Sequence, residues 1–256
     1  MDSTLLNRIF LYIDLKKSIY FNIMYNSQAD QDKFALEINN FKKNGYFIEL
    51  GSSGPIKNNN TYILEKSYKW KGIMIEKNSW HLHEYKQFRS NSIFVINDAV
   101  QIDYKNLFIK NDIPKNIDYL QIDLEVSNSS TLDTLLNMEK QILNDYKFAT
   151  ITFEHDYYFS AGEKEDNIWK KTRDKSREIF KNLGYYLLFP DVALDSNEIY
   201  RGKKCGSFED WYVHPDLVDM NHIKLLVDLN ENNYKNDLLC KSIFFKNINY
   251  SLIHQR

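Results

Sequence analysis

The sequence predicts an α/β fold with a seven-stranded, mostly parallel β-sheet and helices on both of its faces. Short apolar runs alternate with stretches of helical periodicity along most of the chain, and this alternation is typical of strand–helix–strand units. The last two apolar runs follow one another without a helix between them. Since neighbouring parallel strands need a long crossover, one of these two strands is expected to be antiparallel.

Seven segments have the apolar and β-branched character of strands buried inside such a sheet. They are YFIEL at 46–50, GIMIE at 72–76, SIFVINDAV at 92–100, DYLQIDLE at 118–125, FATITFE at 148–154, YYLLF at 185–189 and CGSFEDWYVH at 205–214.

Helical periodicity fills the segments between most of these strands. Ser27 is expected to cap a first helix, which Gly45 ends, and the signal Ser130-x-x-Asp133 is expected to open the helix after the fourth strand. The apolar face of the first helix is formed by Phe34, Ile38 and Phe41. Further helices are predicted for TYILEKSY at 61–68, for SWHLHEYKQF at 79–88, and from Trp169 to Leu183, where Gly184 ends the helix.

Composition limits the kind of partner and the compartment. The net charge is −2 and the isoelectric point is about 6.3, so no basic field indicates a nucleic-acid or membrane partner. Cys205 and Cys240 are the only cysteines, which indicates a reducing compartment and a cytoplasmic protein. Charged residues interrupt the apolar N-terminal stretch before it reaches the ~18 residues of a membrane span, so no transmembrane segment is expected.

The chain shows no internal repeat and no low-complexity linker. The simplest division is therefore an N-terminal helical extension at 1–26, a main domain at 27–216, and a C-terminal extension at 217–256 that packs on the same domain. The sequence leaves a homo-oligomer open.

Acidic residues stand at or just after the end of each of the first five predicted strands. They are Glu49, Glu76, Asp98, Asp123 with Glu125, and Glu154 with Asp156. The carboxyl ends of parallel strands meet at one edge of the sheet, and ligands bind there at the point where the strand order reverses. Carboxylates buried near one another need cations or donors to pair them. The sequence therefore predicts a cleft for a polar ligand at this edge.

The turn Gly51-Ser52-Ser53-Gly54 narrows the choice of ligand. It lacks the G-x-G-x-x-G spacing of dinucleotide-binding turns and the basic residues of a P-loop, which disfavours a diphosphate cofactor. An acid beside such a bend suits a ligand with an amine and a cationic centre. Glu76 is placed where an acid can accept hydrogen bonds from both hydroxyls of a ribose. Together these features indicate S-adenosylmethionine.

Four segments resemble the FkbM family of class I S-adenosylmethionine-dependent methyltransferases. They are SQADQDKF at 27–34, the block at 45–78 that begins GYFIELGSSG, DYLQIDLE at 118–125 and FEDWYV at 208–213. The resemblance covers most of residues 27–213 and is most specific at 45–78. It implies a Rossmann-like class I methyltransferase fold for the main domain, and O-methylation of hydroxyl groups, often on sugars.

The resemblance also implies roles for individual residues. Glu49, Gly51 and Gly54 would form the pocket for the cofactor's amino-acid part, Glu76 would bind the ribose, and Asp98 would lie near the adenine. Ser52 and Lys77 are further candidates for cofactor binding. Asn60 and Thr61 match the family's S-N-T-Y pattern, and would shape the turn into the next helix. Ser27, Gln28, Gln31 and Asp32 would close over the cofactor. In the family's fourth-strand motif I-D-x-E-G, Val126 replaces the glycine here.

Methyl transfer to a sugar hydroxyl needs a base or a metal that lowers the pKa of the hydroxyl. Asp123 and His155 are candidates for the base, and Glu125 is a further candidate catalytic residue. The aromatic residues after His155, Tyr157 to Phe159, suit stacking on a sugar ring. Alternatively, Asp123, Glu154 and Asp156 could hold Mg²⁺ or Mn²⁺, because hard cations favour carboxylate ligands.

The segment FEDWYV allows two interpretations. In the first it is a terminal strand whose Phe208, Trp211 and Val213 face the core. In the second, Glu209 and Asp210 lie at the rim of the acceptor pocket. Cys205 nearby is expected to be a small buried residue, because no basic partner is evident in the sequence.

The sequence thus predicts an S-adenosylmethionine-dependent O-methyltransferase acting on a sugar hydroxyl of a glycan or glycosylated metabolite. A methyltransferase for nucleic acid, such as an RNA ribose hydroxyl, or for a non-sugar small molecule stays open. The nucleic-acid enzyme would be expected to show a basic face or a motif such as N-P-P-Y, and the sequence has neither. A nucleotide-binding oxidoreductase would show a glycine-rich phosphate turn, and a catalytically silent binding module would lack the acids.

Overall fold

The computed structural model describes residues 25–193, 199–200, 203–204 and 206–224. The predicted N-terminal extension lies outside the described residues except for 25–26, and so does the C-terminal extension beyond residue 224. Both cysteines, Cys205 and Cys240, also lie outside them. No helix in the described ranges is long and apolar enough to cross a membrane.

Seven strands form one sheet, as the sequence predicts. They are β1 (Tyr46–Leu50), β2 (Lys71–Glu76), β3 (Ile93–Ile96), β4 (Asn116–Ile122), β5 (Lys147–Glu154), β6 (Tyr186–Ala193) and β9 (Ser207–Val213), and a separate small hairpin joins β7 (Ile199–Tyr200) to β8 (Lys203–Lys204). The order across the sheet is β3-β2-β1-β4-β5-β9-β6. The first five strands pair in parallel, whereas β9 lies between β5 and β6 and is antiparallel to both. The predicted seven-stranded sheet with an antiparallel strand near its end is therefore confirmed.

Six α-helices and two short 3₁₀ helices lie within the described residues, and residues 220–224 are helical as well. The α-helices are α1 (Gln31–Ile38), α2 (Tyr62–Tyr68), α3 (Leu82–Phe88), α4 (Tyr104–Lys110), α5 (Ser130–Gln141) and α6 (Ile168–Asn182), and the 3₁₀ helices are Ala99–Gln101 and Tyr157–Ser160. The sequence analysis missed α4, because the segment NLFIK offers barely one turn of apolar periodicity.

The helix predicted to start at Ser130 does start there, but its N-cap is Ser129, which has a left-handed backbone, and Ser130 is its first residue. Helix α1 has Asp30 at its N-cap position. The Ser27 hydroxyl lies three residues before this position, where it donates a hydrogen bond to the Asp32 carboxylate and accepts one from Asp32 N at 3.4 Å. Helix α1 also ends at Ile38 rather than at Gly45. A Cβ at Gly45 would lie 2.5 Å from the Trp70 ring, so this glycine makes room for a tryptophan instead of ending a helix.

The period of two residues along each strand decides which side chains meet. Ile48 and Leu50 of β1 lie in the core on one face of the sheet, whereas Phe47 lies in the core on the other face. Strands β1, β2 and β4 are buried on both faces. At the far side of the sheet, Phe208, Trp211 and Val213 of β9 are buried in a common cluster, so the core interpretation of FEDWYV is confirmed.

The order of strands places a switch point between β1 and β4. From β1 the chain proceeds to β2 and β3 on one side, and it then crosses to β4 and β5 on the other. The two crossovers leave in opposite directions from this point, so a crevice opens above the carboxyl ends of β1 and β4.

Candidate active site

A cavity of about 770 Å³ lies at the carboxyl ends of the parallel strands. Its lining is rich in carboxylates, with Lys57 and Lys77 as its basic residues. The predicted site residues on its wall are Gln28, Glu49, Gly51, Ser52, Asn60, Glu76, Lys77, Asp98, Asp123, Glu125, Glu154 and Asp156. The acids that the sequence places at successive strand ends therefore do surround one cavity.

The turn after β1 requires glycine at its first position only. Gly51 has a φ of +82°, and a Cβ at this residue would lie 1.8 Å from the carbonyl oxygen of Asp123. At Gly54 the nearest atom to an added Cβ is His81 Nε2 at 4.0 Å, and Gly54 does not line the cavity. Gly54 therefore lies outside the cavity lining, and its role in the cofactor pocket stays a prediction.

Glu49 is almost completely buried on the face of β1 that also carries Phe47. Its carboxylate accepts hydrogen bonds from the backbone N–H of Asn60, from the Thr61 hydroxyl at 2.8 Å, and from the Asn59 amide at 3.3 Å. Burial raises the pKa of Glu49 to about 7, and the Arg89 charge and these hydrogen bonds oppose the rise. Asn60 and Thr61 thus shape the turn, as predicted, and they do so by binding the predicted anchor acid.

Two buried polar atoms beside Glu49 have no partner within the described chain. They are the Ser52 hydroxyl and Asn60 Oδ1, and both residues line the cavity. A buried donor or acceptor without a partner costs about 1–3 kcal/mol. Native proteins keep few such atoms. The wall of the cavity at β1 is therefore suited to a ligand that carries both donors and acceptors.

Glu76, at the end of β2, is held by the loops on either side of it. It accepts hydrogen bonds from the backbone N–H of Ser53 at 3.0 Å and of Asn78 at 2.9 Å. These contacts fix the carboxylate at the rim of the cavity. The next strand contributes Asp98, which accepts from Val100 N and pairs with Lys77 at 2.8 Å. The hydrogen bond from Lys77 lowers the pKa of Asp98.

Asp123, just after β4, and Glu154, at the end of β5, form an acid pair on the wall of the cavity beside β1. Burial raises the pKa of Asp123, and burial together with the nearby charges of Asp123 and Asp156 raises the pKa of Glu154 well above its usual value. Two adjacent carboxyl groups share a proton more readily than they hold two charges. Glu125 lies on the exposed side of the same wall and accepts hydrogen bonds from Ser127.

His155 does not reach the cavity, so the prediction of His155 as the base is wrong. Glu154 ends β5 on one face of the sheet, and its successor is directed to the other face. There the buried His155 ring lies with Nε2 3.4 Å from Asp210, and its Nδ1 accepts a hydrogen bond from Tyr157 N. Asp210 also binds Arg177 of α6 at 2.7 Å. His155 thus belongs to a buried ion network under α6.

The same alternation corrects the predicted rim of the acceptor pocket. Glu209 and Asp210 are both buried, and they lie on opposite faces of β9. Glu209 pairs with Glu154 across the strands and accepts a hydrogen bond from Trp211 Nε1 at 2.6 Å. Burial raises the pKa of Glu209 well above its usual value.

The predicted metal ligands do not form a cluster at metal-binding distances. Among the described residues, the one group of three such ligands within 4.8 Å of one another is His155, Asp191 and Asp210. This group does not include Asp123, Glu154 or Asp156. The guanidinium of Arg177 lies 2.9 Å from Asp191 and 2.7 Å from Asp210, and it neutralises them in place of a metal. The predicted Mg²⁺ or Mn²⁺ site is therefore wrong in its ligand set.

The segment before α1 contributes one predicted residue to the cavity. Gln28 is exposed and lines the cavity. Gln31 is buried, with its Oε1 accepting from Ala29 N, and it does not line the cavity. Asp32 accepts from the backbone of Asn26 and Ser27 and thus holds the chain before the helix. Thr61 is also buried outside the cavity. Gln31 and Thr61 were therefore wrongly placed as contact residues.

Residues behind the cavity were missed by sequence reasoning. Arg89 is buried and donates hydrogen bonds to Pro55 O, Asn59 Oδ1 and Thr61 Oγ1. Tyr85 of α3 donates a hydrogen bond to Ser52 O at 2.9 Å. One signal could have indicated them, since Tyr85 and Arg89 are four residues apart and thus share one helix face. Their partners lie about 30 residues away in sequence, and only the fold brings them together.

No protein-family model matches the chain, and no curated protein matches it in sequence. Among solved structures, the chain is similar to an S-adenosylmethionine-dependent methyltransferase from Clostridium acetobutylicum, with 13% identity and a TM-score of 0.47 over 81% of this chain and 98% of that chain. It is also similar to the O-methyltransferase from Bacillus cereus in complex with SAH, with 13% identity and a TM-score of 0.46 over 83% of this chain and 92% of that chain. A TehB-like S-adenosylmethionine-dependent methyltransferase from Corynebacterium glutamicum gives 12% identity and a TM-score of 0.42 over 83% of this chain and 100% of that chain.

The chain has the Rossmann-like class I methyltransferase fold. This assignment rests on the strand order and on the antiparallel β9 between β5 and β6. The more specific resemblance to the FkbM family stays a prediction.

Proposed function

We propose that the protein is an S-adenosylmethionine-dependent O-methyltransferase of the FkbM type that acts on a sugar hydroxyl. The observation that carries the proposal is the wall of the cavity at β1 and β2. There a buried carboxylate, two unpartnered polar atoms and a second fixed carboxylate lie around one turn, at Glu49, Ser52, Asn60 and Glu76.

The polar groups on this wall fit the cofactor part by part. Glu49 suits the ammonium group of the amino-acid part, and the Asn60 Oδ1 acceptor lies beside it. Glu76 suits the two ribose hydroxyls, since an acid after the second strand accepts hydrogen bonds from both. Asp98 and the backbone that follows it suit the adenine side. A diphosphate would be repelled by the carboxylates of this wall, which agrees with the turn's lack of a phosphate-binding glycine pattern.

The acid pair at the ends of β4 and β5, Asp123 and Glu154, suits the removal of a proton from an acceptor hydroxyl. When bound, the cofactor supplies a sulfonium methyl group, so that an O–C bond forms as the S–C bond breaks. Asp123 or Glu154 takes the hydroxyl proton in this proposal. A carboxylate whose pKa is raised is a stronger base than an ordinary one, provided that it is ionised at the working pH. Sharing one proton leaves one carboxylate of the pair able to act.

The charge of the cavity favours a neutral acceptor over a nucleic acid. Its lining combines seven carboxylates with two lysines, and phosphate groups of a polyanion would be repelled there. Tyr158 and Phe208 line the same cavity, and aromatic faces suit the apolar side of a sugar ring. The other predicted stacking residues lie elsewhere, since Tyr157 is covered by Arg173 at 3.4 Å and Phe159 is packed against Trp169.

Cofactor binding is tested by calorimetric titration of S-adenosylmethionine into the wild type and into Glu76→Ala. We expect at least a tenfold loss of affinity in the variant, because charge-assisted hydrogen bonds to two hydroxyls contribute about 1.5–3 kcal/mol each. Glu163→Ala is the matched control, since Glu163 is an exposed acid outside the cavity. Absence of binding heat in the wild type, or equal affinity in Glu76→Ala, would overturn the cofactor assignment.

The acceptor class is tested separately, with methyl-labelled cofactor and a panel of glycans, RNA, DNA, proteins and small hydroxylated metabolites. We expect label in a sugar hydroxyl. Label in RNA alone would overturn the sugar proposal and support the nucleic-acid alternative, and label in a non-sugar metabolite alone would support the small-molecule alternative. Parallel reactions with EDTA show whether an added divalent cation is required.

A further inference from the structure

Arg89 is a buried cation that joins two parts of the chain behind the cavity. It follows α3, and 1% of its surface is exposed. Its Nε donates to Glu65 of α2 at 2.9 Å, and the Ser92 hydroxyl donates to the same Glu65 oxygen at 2.7 Å. A buried ion pair is costly to form, and well-packed apolar residues would often serve stability equally well. Stability alone therefore does not explain why an arginine occupies this position.

The rest of the guanidinium is directed at the loop that forms the cofactor wall. Its two terminal nitrogens donate to Pro55 O at 3.2 Å, to Asn59 Oδ1 at 2.7 Å and to Thr61 Oγ1 at 2.7 Å. The planar fork of arginine suits such a set of acceptors, and lysine cannot reproduce it. Arg89 thus fixes both ends of the 55–61 segment from outside the cavity.

Two residues that accept hydrogen bonds from Arg89, Asn59 and Thr61, also donate hydrogen bonds to Glu49. The Thr61 hydroxyl, which accepts from Arg89, donates its own proton to Glu49 Oε2 at 2.8 Å. The Asn59 amide likewise accepts from Arg89 through Oδ1 and donates through Nδ2 to Glu49 and to Ser52 O. One buried network therefore runs from Glu65 through Arg89 to the carboxylate on the cavity wall.

The geometry at Glu49 leaves room for a ligand. Its Oε2 accepts two hydrogen bonds, whereas Oε1 accepts only that of Asn60 N within the described chain. A carboxylate oxygen has two acceptor sites. The second site of Oε1 is thus available beside Asn60 Oδ1, which also lacks a partner.

We propose that Arg89 is a positioning residue of the cofactor site: it fixes the 55–61 segment and keeps Glu49 a carboxylate toward the cofactor's amino group. This inference rests on the proposed function. Arg89 does not line the cavity and acts through Asn59, Thr61 and Glu49. Through this contact Arg89 helps to set the pH range near neutrality in which Glu49 loses its charge, and cofactor affinity should fall in the same range.

The sign of this dependence follows from the groups that face Glu49. Arg89 is the cation that opposes the effect of burial, and the Glu49 pKa is about 7 in its presence. Tyr85 and Tyr119 also interact with this carboxylate; burial, with a smaller contribution from the Glu49 charge, raises their pKa values, so both stay neutral. Glu65 lies behind Arg89 and pairs with it. Removal of the Arg89 charge therefore moves the ionisation of Glu49 to higher pH.

The test is calorimetric titration of S-adenosylhomocysteine, which keeps the amino-acid and ribose parts, between about pH 6 and pH 8.5. The variants are Arg89→Gln combined with Glu65→Gln, which leaves no stranded charge, and Arg89→Lys, which keeps the charge. We expect wild-type affinity to fall as the pH decreases through about 7. A displacement of about one pH unit in the double variant would weaken binding about threefold at pH 7.5 and by less than about 1.5-fold at pH 8.5. Arg89→Lys should keep the wild-type midpoint.

Controls separate this inference from the proposed function. Lys86→Gln removes an exposed cation from the same helix and should keep the wild-type profile. Glu49→Gln should remove the pH dependence altogether, and it keeps the idea testable if the double variant does not fold. Two outcomes would overturn the role of Arg89 but leave the cofactor assignment intact, provided that the wild type binds the ligand. One is a midpoint of the affinity–pH curve that is the same in the double variant as in the wild type. The other is an affinity that still falls with decreasing pH in Glu49→Gln. No binding by the wild type at any pH overturns the cofactor assignment itself.

Discussion

Replacement by alanine should have different effects on stability at the two glycines of the turn after β1, Gly51 and Gly54. An L-residue with the left-handed φ of +82° at the Gly51 position costs about 1–2 kcal/mol. The added Cβ would also lie 1.8 Å from the carbonyl oxygen of Asp123. Both atoms belong to the ends of neighbouring strands, since Asp123 N donates to Leu50 O at 3.0 Å. Relief of the overlap must therefore move β1 against β4, and overpacking of this kind costs typically about 1–3 kcal/mol more.

We therefore expect Gly51→Ala to lower the free energy of unfolding by about 3 kcal/mol. Equilibrium unfolding in urea, followed by far-ultraviolet circular dichroism, measures this difference through the shift of the midpoint at constant slope. The shift of the strands also moves the cavity wall, so S-adenosylmethionine affinity should fall in the same variant.

Gly54→Ala is the matched control from the same turn. Its φ is not positive, and no atom lies nearer than 4.0 Å to an added Cβ. Loss of chain entropy in the unfolded state should leave this variant as stable as the wild type or stabilise it by about 0.4–1 kcal/mol. Equal stability of the two variants would refute the steric account of the turn.

Three further predictions concern the acids and the histidine. Asp210→Asn should destabilise the protein by about 1.5–3 kcal/mol at neutral pH, because it removes one of the two charged acceptors of Arg177 and leaves that guanidinium paired with Asp191. Since its partners Arg177 and His155 lower the Asp210 pKa against the effect of burial, this stabilisation is present above the unfolded pKa, and it should disappear in urea titrations at acid pH. Glu154→Gln should flatten the pH dependence of thermal stability. The raised pKa of Glu154 means that the wild type loses stability as pH rises through it, so melting curves from acid to alkaline pH should favour the variant at the alkaline end. His155→Gln should keep S-adenosylmethionine affinity within about twofold of the wild type, as measured by calorimetry, because His155 lies outside the cavity. A tenfold loss of affinity would indicate that His155 belongs to the cofactor site after all.

The architecture could be predicted from the sequence because it depends on local patterns. Apolar runs of strand length separated by helical periodicity give the order of elements, and the two successive strands at the end indicate the antiparallel partner. The acids at strand ends could be predicted to share a cavity for the same reason, since parallel topology alone brings carboxyl ends to one edge. The N-cap residues were assigned wrongly because Asp30 and Ser129 occupy these positions with a left-handed backbone and without a capping side-chain hydrogen bond. Such a helix start has no N-cap signature in the sequence.

The misplacement of His155 and Asp210 has one physical cause. A list of polar residues near strand ends ignores the side of the sheet on which each lies. His155 follows Glu154 by one residue, and Asp210 follows Glu209 by one, so strand alternation sends the second of each pair to the face under α6. Application of the period of two to these residues would have separated the cavity acids from the ion network around Arg177. Strand alternation could not have located Gln31 and Thr61, because their burial depends on packing between distant elements.

Buried carboxyl groups are stabilised differently on the two faces of the sheet, and this difference bears on which of them could act as a base. Under α6, Asp210 is matched by Arg177 and His155, so its carboxylate is held ionised and its pKa is lowered. On the cavity face, Glu154 has Glu209 opposite it in the neighbouring strand, and the pKa of each is raised. Like charges directly across an antiparallel pair are destabilising. The fold thus pairs Asp210 with cations under α6, whereas at the cavity it keeps Glu154, one of the two bases that we propose, as an acid with a raised pKa.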